Sequence, residues 1–132
     1  LFVRGSEKTL WRSYVFKDDN TLILAEAVID ALSYHALYRR EKAVYAATGG
    51  GLSPEQGEII TAFIRDFDTL EHIIIIPDHD QGGDKFEKRI REAVELSGFN
   101  GLCETHRPCL EGQDWNDVYK DTLEKTGKTI QI

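Results

Sequence analysis

The chain has 132 residues, 41% hydrophobic and 30% charged, with a net charge of −7. These values suit one soluble globular domain with a real core, and no apolar run approaches the roughly 18 residues of a membrane span. The negative balance argues against sequence-independent gripping of nucleic acid by this domain alone, since phosphate contacts need Lys and Arg, but it leaves room for a catalytic site whose carboxylates push the count down.

The chain starts at Leu1, not Met, and enters a strand-like pattern at once. Its first residues do not read as a basic-then-apolar signal segment, and we expect a piece of a longer protein. Residues 1–16 read as a small β-hairpin: "LFVR", a turn at "GSEKT", then "LWRSYVF" with period-2 alternation. "KDDN" is a polar break. "TLILA" (21–25) is a short apolar strand. "AVIDALSYHALYRR" (27–40) reads as a helix with Val28, Leu32 and His35/Ala36 on its inner stripe. Its two arginines stand in the last turn, where the helix dipole favours cations.

"AVYAA" (43–47) is the next strand and "TGGGL" a loop. "SPEQ" then opens a helix, with Ser53 as N-cap, Pro54 at the first helical position and Gln56 completing a capping box. Ile59, Ile60, Phe63, Ile64 and Phe67 supply its buried face. "HIIII" (72–76) does not alternate, as expected of a strand buried on both sides. "DKFEKRIREAVELSG" (84–98) is a helix with Phe86, Ile90, Ala93 and Val94 inward and Gly98 as its stop. "GLCET" is a candidate fourth strand. Cys103 and Cys109 fit no common zinc spacing, and we expect reduced thiols and a cytoplasmic setting. "DWNDVYKDTLEKTG" is a last helix, with Asp114 as its N-cap and Trp115 packed against the sheet.

Alternating strands and helices predict an α/β fold of Rossmann-like, three-layer form. The sheet is mostly parallel and four-stranded, with helices on both faces and the hairpin as a flank. Ligands bind such sheets at the carboxyl ends of the strands. The first strand ends in Glu26, with Asp30 one helical turn on. The second ends at Thr48, then Gly49, Gly50 and Gly51. The third runs into Pro77, Asp78, His79, Asp80, Gln81, Gly82, Gly83 and Asp84. Asp114, Asn116 and Asp117 follow the fourth.

If the first and third strands are neighbours, their carboxylates converge, and converging carboxylates repel unless a cation neutralises them. Oxygen ligands without thiols point to Mg²⁺ or Mn²⁺. Asp78 and Asp80, two apart on an extended segment, lean to the same side; His79 points away. Gly82 and Gly83 permit a sharp turn and leave room for an anionic ligand. The chemistry that fits is phosphoryl transfer or phosphodiester cleavage. Each feature also has a plainer use. Asp84 can cap its helix, Gly49–Gly51 can be a flexible connection, Asp30 can solvate its helix, and Asn116 and Asp117 can be helix-start residues.

"LILAEAVIDALS", followed about fifty residues later by "IIIIPDHDQGG", resembles the Toprim domain of topoisomerases, bacterial-type primases and some nucleases and recombination proteins. "ATGGGLSPEQ" and "DWNDVY" resemble Toprim-like domains of plasmid- and phage-borne primase or mobilisation (relaxase) proteins. The resemblance spans about residues 21–120. It implies a Toprim-like catalytic domain over 19–132 beside a hairpin flank at 1–18. It also implies Glu26 as general acid or base, Asp78 and Asp80 as Mg²⁺ ligands and Asp84 as an outer or third ligand. Asp30, Gly49, Gly50, Gly51, Gly82, Gly83, Asp114 and Asn116 would lie near substrate phosphates. The family commonly has Gly after the motif glutamate; here Ala27 narrows that space. The implied partners are DNA, or an RNA primer and nucleotides, in the context of other domains, with the isolated domain monomeric. The implied reaction is primase-type nucleotidyl transfer. The alternatives are a metal-dependent nuclease and a silent accessory module of a relaxase or helicase.

Overall fold

Short apolar strands hide both faces only when helices cover each side, and the chain folds that way. A computed structural model describes residues 9–127. The strands are β1 (Trp11–Arg12), β2 (Thr21–Ala25), β3 (Ala43–Ala47), β4 (His72–Ile75) and β5 (Leu102–Thr105). They form one sheet in the order β1-β3-β2-β4-β5. β2 to β5 are parallel, and β1 lies antiparallel on β3 with Trp11 opposite Ala47.

The sheet thus has five strands where four were expected. The arm "LWRSYVF" adds a strand to the edge of β3, extended by Ser13 N–H donating to Tyr45 O at 2.8 Å. The other arm of the expected hairpin, "LFVR", lies outside the described residues.

The helices are α1 (Val28–Tyr38), α2 (Pro54–Asp66), α3 (Gln81–Ser97) and α4 (Trp115–Lys125). Alternate strand residues feed two separate cores. Leu22, Leu24, Val44, Ala46, Ile73 and Ile75 pack under α2 and α3 with Ile60, Ile64, Phe86 and Ile90. Ile23, Ala25, Tyr45, Ile74 and Ile76 pack under α1 and α4 with Ala31, Tyr34 and Trp115. All four isoleucines from Ile73 to Ile76 are fully buried, each contributing roughly 1.5–3 kcal/mol of transfer free energy.

Three local expectations change. In α1 the inner face is Asp30, Ala31, Ser33 and Tyr34. Val28 and Ala36 are only half-buried, His35 is exposed, and Leu32 is 53% exposed. Apolar residues lie all round this helix, so hydrophobicity alone did not orient it. Polar contacts fix its rotation instead: Asp30 accepts from Asn116 N–H and Ser33 donates to Asn116 Oδ1. In α2 Ile59 is 39% exposed. Gln56 and Thr61 take inward places because Thr61 Oγ1 bonds to Gly57 O and Ala93 O, and Gln56 is satisfied as described below. α3 begins three residues before the expected start, with Asp80 rather than Asp84 as its N-cap. The Ser53–Gln56 and Asp114–Asp117 capping boxes form as complete pairs. Both cysteines are free thiols. No helix of the described residues is long and apolar enough to cross a membrane.

Candidate metal centre

The order of the sheet creates one crevice. The connection from β2 through α1 leads to β3 on one side. The connection from β3 through α2 crosses back to β4 on the other, and the helices change face with it. The direction reverses at β2, so the carboxyl ends of β2 and β4 part there. Glu26 follows β2. Asp78 and Asp80 follow β4 after the buried Pro77.

Each of these three residues offers one carboxylate oxygen, and the three oxygens lie within 4.8 Å of one another. Asp78 N–H donates to Glu26 Oε1 at 3.4 Å, and Gly83 N–H donates to Asp80 Oδ1 at 2.7 Å. Asp78 Oδ1 is buried and has no hydrogen-bond partner.

The electrostatics follow from that crowding. Burial, then Glu26, Asp30 and Asp80, push the Asp78 carboxyl up to about 7. Glu26 is raised as well: burial is the main cause, the Asp78 N–H bond opposes it, Asp80 and Asp30 add to it, and Arg107 eases it. Burial raises Asp30 to about 6, partly offset by the bond from Asn116 N–H. Three converging carboxylates, one of their oxygens buried and orphaned, are a donor set that a divalent cation would satisfy. All donors are hard oxygens, which suits Mg²⁺ or Mn²⁺ better than zinc.

The remaining candidates divide. Gly49 and Gly50 donate their N–H groups to Glu26 O at 2.7 and 2.9 Å. Their φ angles are +77° and +131°, conformations that glycine adopts without a Cβ penalty. The loop is anchored by Gln56, whose Nε2 donates to Thr48 O and Thr9 O at 2.6 and 2.8 Å. Gly51 faces open space. A Cβ on Gly82 would lie 3.3 Å from Asp80 Oδ1; on Gly83 it would lie 1.9 Å from Asp78 O. The space beside Gly83 is therefore filled by the main chain of Asp78 and not left for an anion.

Asp84 does not join the three converging carboxylates. Its side chain is 69% exposed and pairs with Arg107 Nη2 at 3.0 Å. Asp114 caps α4. Asn116 bonds to α1 through both its main chain and its side chain. His79 turns away, with Nδ1 2.8 Å from Pro108 O. Ala27 has φ −124°, extended backbone open to any residue, so this position does not require glycine.

Arg107 was not singled out from the sequence. It donates to Asp78 O at 3.0 Å and to Glu87 Oε1 at 2.8 Å. The available signal was a lone arginine two residues past a strand end, in a chain whose other parallel strands end in acids or glycines. With His79, Asp80, Gln81, Asp84 and Glu111 it lines a cleft of about 450 Å³ beside the carboxylates. A larger groove of about 670 Å³ runs between α2 and α3 and includes none of the three carboxylates.

A family model described as Toprim-like matches residues 23–119, which include Glu26, Asp78, Asp80 and Arg107. A crystal structure of a DNA primase domain from Pseudomonas aeruginosa is similar in fold, with a TM-score of 0.56 and 22% sequence identity. That match covers 83% of this chain and 33% of the other, so the chain spans about a third of the solved one. No curated protein matches.

Proposed function

The chain belongs to the Toprim-like family, and from that premise we propose that it is a Mg²⁺-dependent module for phosphoryl transfer on nucleic acid, part of a cytoplasmic DNA primase or a plasmid mobilisation (relaxase) protein. The observation that carries the proposal is the convergence of Glu26, Asp78 and Asp80, with the buried Asp78 oxygen unpartnered.

In this reading Asp78 and Asp80 hold Mg²⁺ or Mn²⁺, with Asp84 in an outer position reached by exchange of its Arg107 pair. The ion, when bound, supplies charge neutralisation for the phosphates of an incoming nucleotide. Glu26 does the proton work. Its raised proton affinity suits a group that accepts a proton from a 3′-hydroxyl. Gly49 and Gly50 keep the Glu26 main chain fixed while its carboxylate faces the crevice. Asp30 supports the site from α1 and ties it to α4 through Asn116. DNA, or an RNA primer and nucleotides, would be gripped mainly by surfaces outside this acidic domain.

The test is template-directed primer synthesis by the full natural polypeptide, comparing wild type with Asp78→Ala and Asp80→Ala. A loss of at least ~100-fold in both variants is expected, in line with removal of a catalytic metal ligand. Variants that prime as well as wild type would refute the metal-site reading. Cleavage of DNA in the same buffer without nucleotides, lost in the same variants, would assign the site to a nuclease instead. Silence in both assays would leave an accessory module.

A further inference from the structure

We infer that Arg107 is a positioning residue for this centre: it sets the main chain of Asp78 and thereby the placement of both ligand aspartates. The inference rests on the metal reading above and concerns a residue outside the converging carboxylates.

Three segments meet at one guanidinium. Arg107 itself follows β5. Its Nη1 donates to Asp78 O at 3.0 Å, on the loop after β4. Its Nη2 contacts Glu87 Oε1 at 2.8 Å and Asp84 Oδ1 at 3.0 Å, both on α3. The side chain is 23% exposed, so most of it is removed from water. A planar fork can hold two directions at once; a lysine ammonium is a point charge and cannot reproduce that geometry.

The anchor on α3 is itself held. Glu87 Oε2 accepts from Thr105 Oγ1 at 2.6 Å and from Arg91 Nε at 3.0 Å. Burial would raise Glu87, yet the bonds from Arg107, Thr105 and Arg91 hold it down to about 2. It therefore stays ionised as a fixed point. Asp80 caps α3, and Gly83 of its first turn lies against Asp78 O. Thus α3 sets Asp80 directly, and Arg107 fastens Asp78 to the same helix. The distance between the two ligands depends on that link. Arg107 also carries positive charge that favours ionised Glu26.

Mn²⁺ binding to the chain, read by electron paramagnetic resonance, tests this. The proteins are wild type, Asp78→Asn, Arg107→Met, Arg107→Lys and, as a distant control, Arg65→Met. Wild type is expected to bind one ion that Asp78→Asn loses. Arg107→Met should bind at least tenfold more weakly, Arg107→Lys at least threefold more weakly despite its retained charge, and Arg65→Met as wild type. In the metal-free protein, amide exchange at Asp78 should speed up at least threefold in Arg107→Lys, because Arg107 holds the main chain whose N–H donates to Glu26 Oε1; an Arg107 that acted through its charge alone would leave that amide unchanged in a folded variant. A folded Arg107→Met within twofold of wild type overturns the inference while the metal reading stands. If Arg107→Met does not fold, Arg107→Lys decides, and wild-type affinity there overturns it. A wild type with no Mn²⁺ binding overturns the metal reading and this inference together.

Discussion

The loop after β3 and the stretch that leads from β4 into the first turn of α3 both contain glycines and both border the same carboxylates, yet they work in different ways. Gly49 and Gly50 are glycines because of their own backbone: φ is positive and nothing crowds them. They aim two N–H groups at Glu26 O. Gly83 sits in an ordinary helical conformation and is a glycine because of its neighbour, since a Cβ would overlap Asp78 O. One loop holds its carboxylate through hydrogen bonds given to the main chain. The other holds its carboxylates through close packing and a helix cap. Glycine here is not a sign of looseness: it marks the two places where main chain must approach main chain.

Substitutions should separate the two loops. Gly83→Ala should have the largest effect, because the obstacle is backbone and cannot rotate away. We expect a loss of about 3 kcal/mol in urea unfolding and Mn²⁺ binding weakened at least tenfold. A near-neutral result would mean that α3 can shift away from Asp78.

Next in size is the effect of pH, which acts most strongly on Asp78 in the β4 loop. Asp78 stands at about 7 against an ordinary 3.8. A carboxyl raised in the folded state favours its neutral form there. Its stabilising contribution is full below the unfolded value and is lost as pH climbs from about 4 through about 7. Metal-free protein should thus be more stable at pH 5.5 than at pH 8, and Asp78→Asn should stabilise it at pH 8. After discounting for the partly exposed site, the gain is about 1–2 kcal/mol. Saturating Mg²⁺ should remove or reverse that slope, as seen by thermal melts at the two pH values. A flat metal-free profile would break the contrast between the loops.

Gly50→Ala comes third. Its cost is conformational, about 1 kcal/mol, with metal binding reduced only a few-fold through Glu26. Gly51→Ala should be the mildest, within about 0.5 kcal/mol of wild type, because its φ is not left-handed and its surroundings are open. If Gly51→Ala were as damaging as Gly50→Ala, backbone conformation would not be the reason for the run of three.

Much of this was legible in the chain itself. The isoleucine run gave a doubly buried strand, and the "SPEQ" and "DWND" signatures gave helix starts that form as capping boxes. Those features depend on neighbours in sequence. Glu26 and the Asp78/Asp80 pair were legible once strands β2 and β4 were taken as adjacent, which the ladder between them bears out. What could not be read depends on distant partners. α1 turned Asp30 and Ser33 inward because Asn116 waits on α4. The ion pair of Asp84 depends on Arg107, a partner distant in sequence. Gly83 looked like room for a ligand because no local pattern reveals Asp78 O behind it. β1 was missed as a sheet member because two residues carry too short a pattern to name a partner.

The crossover that skips β2 has a consequence for how the molecule comes into being. Glu26 and Asp78 stand 52 positions apart in the chain. They meet only after the ladder between β2 and β4 has closed a loop containing α1, β3 and α2. The entropy of closing such a loop precedes the contacts that reward it, which slows folding. During synthesis the ribosome delivers the glutamate long before its partner aspartates. The charge repulsion stored in the centre therefore arises late, when a formed sheet is already there to bear it.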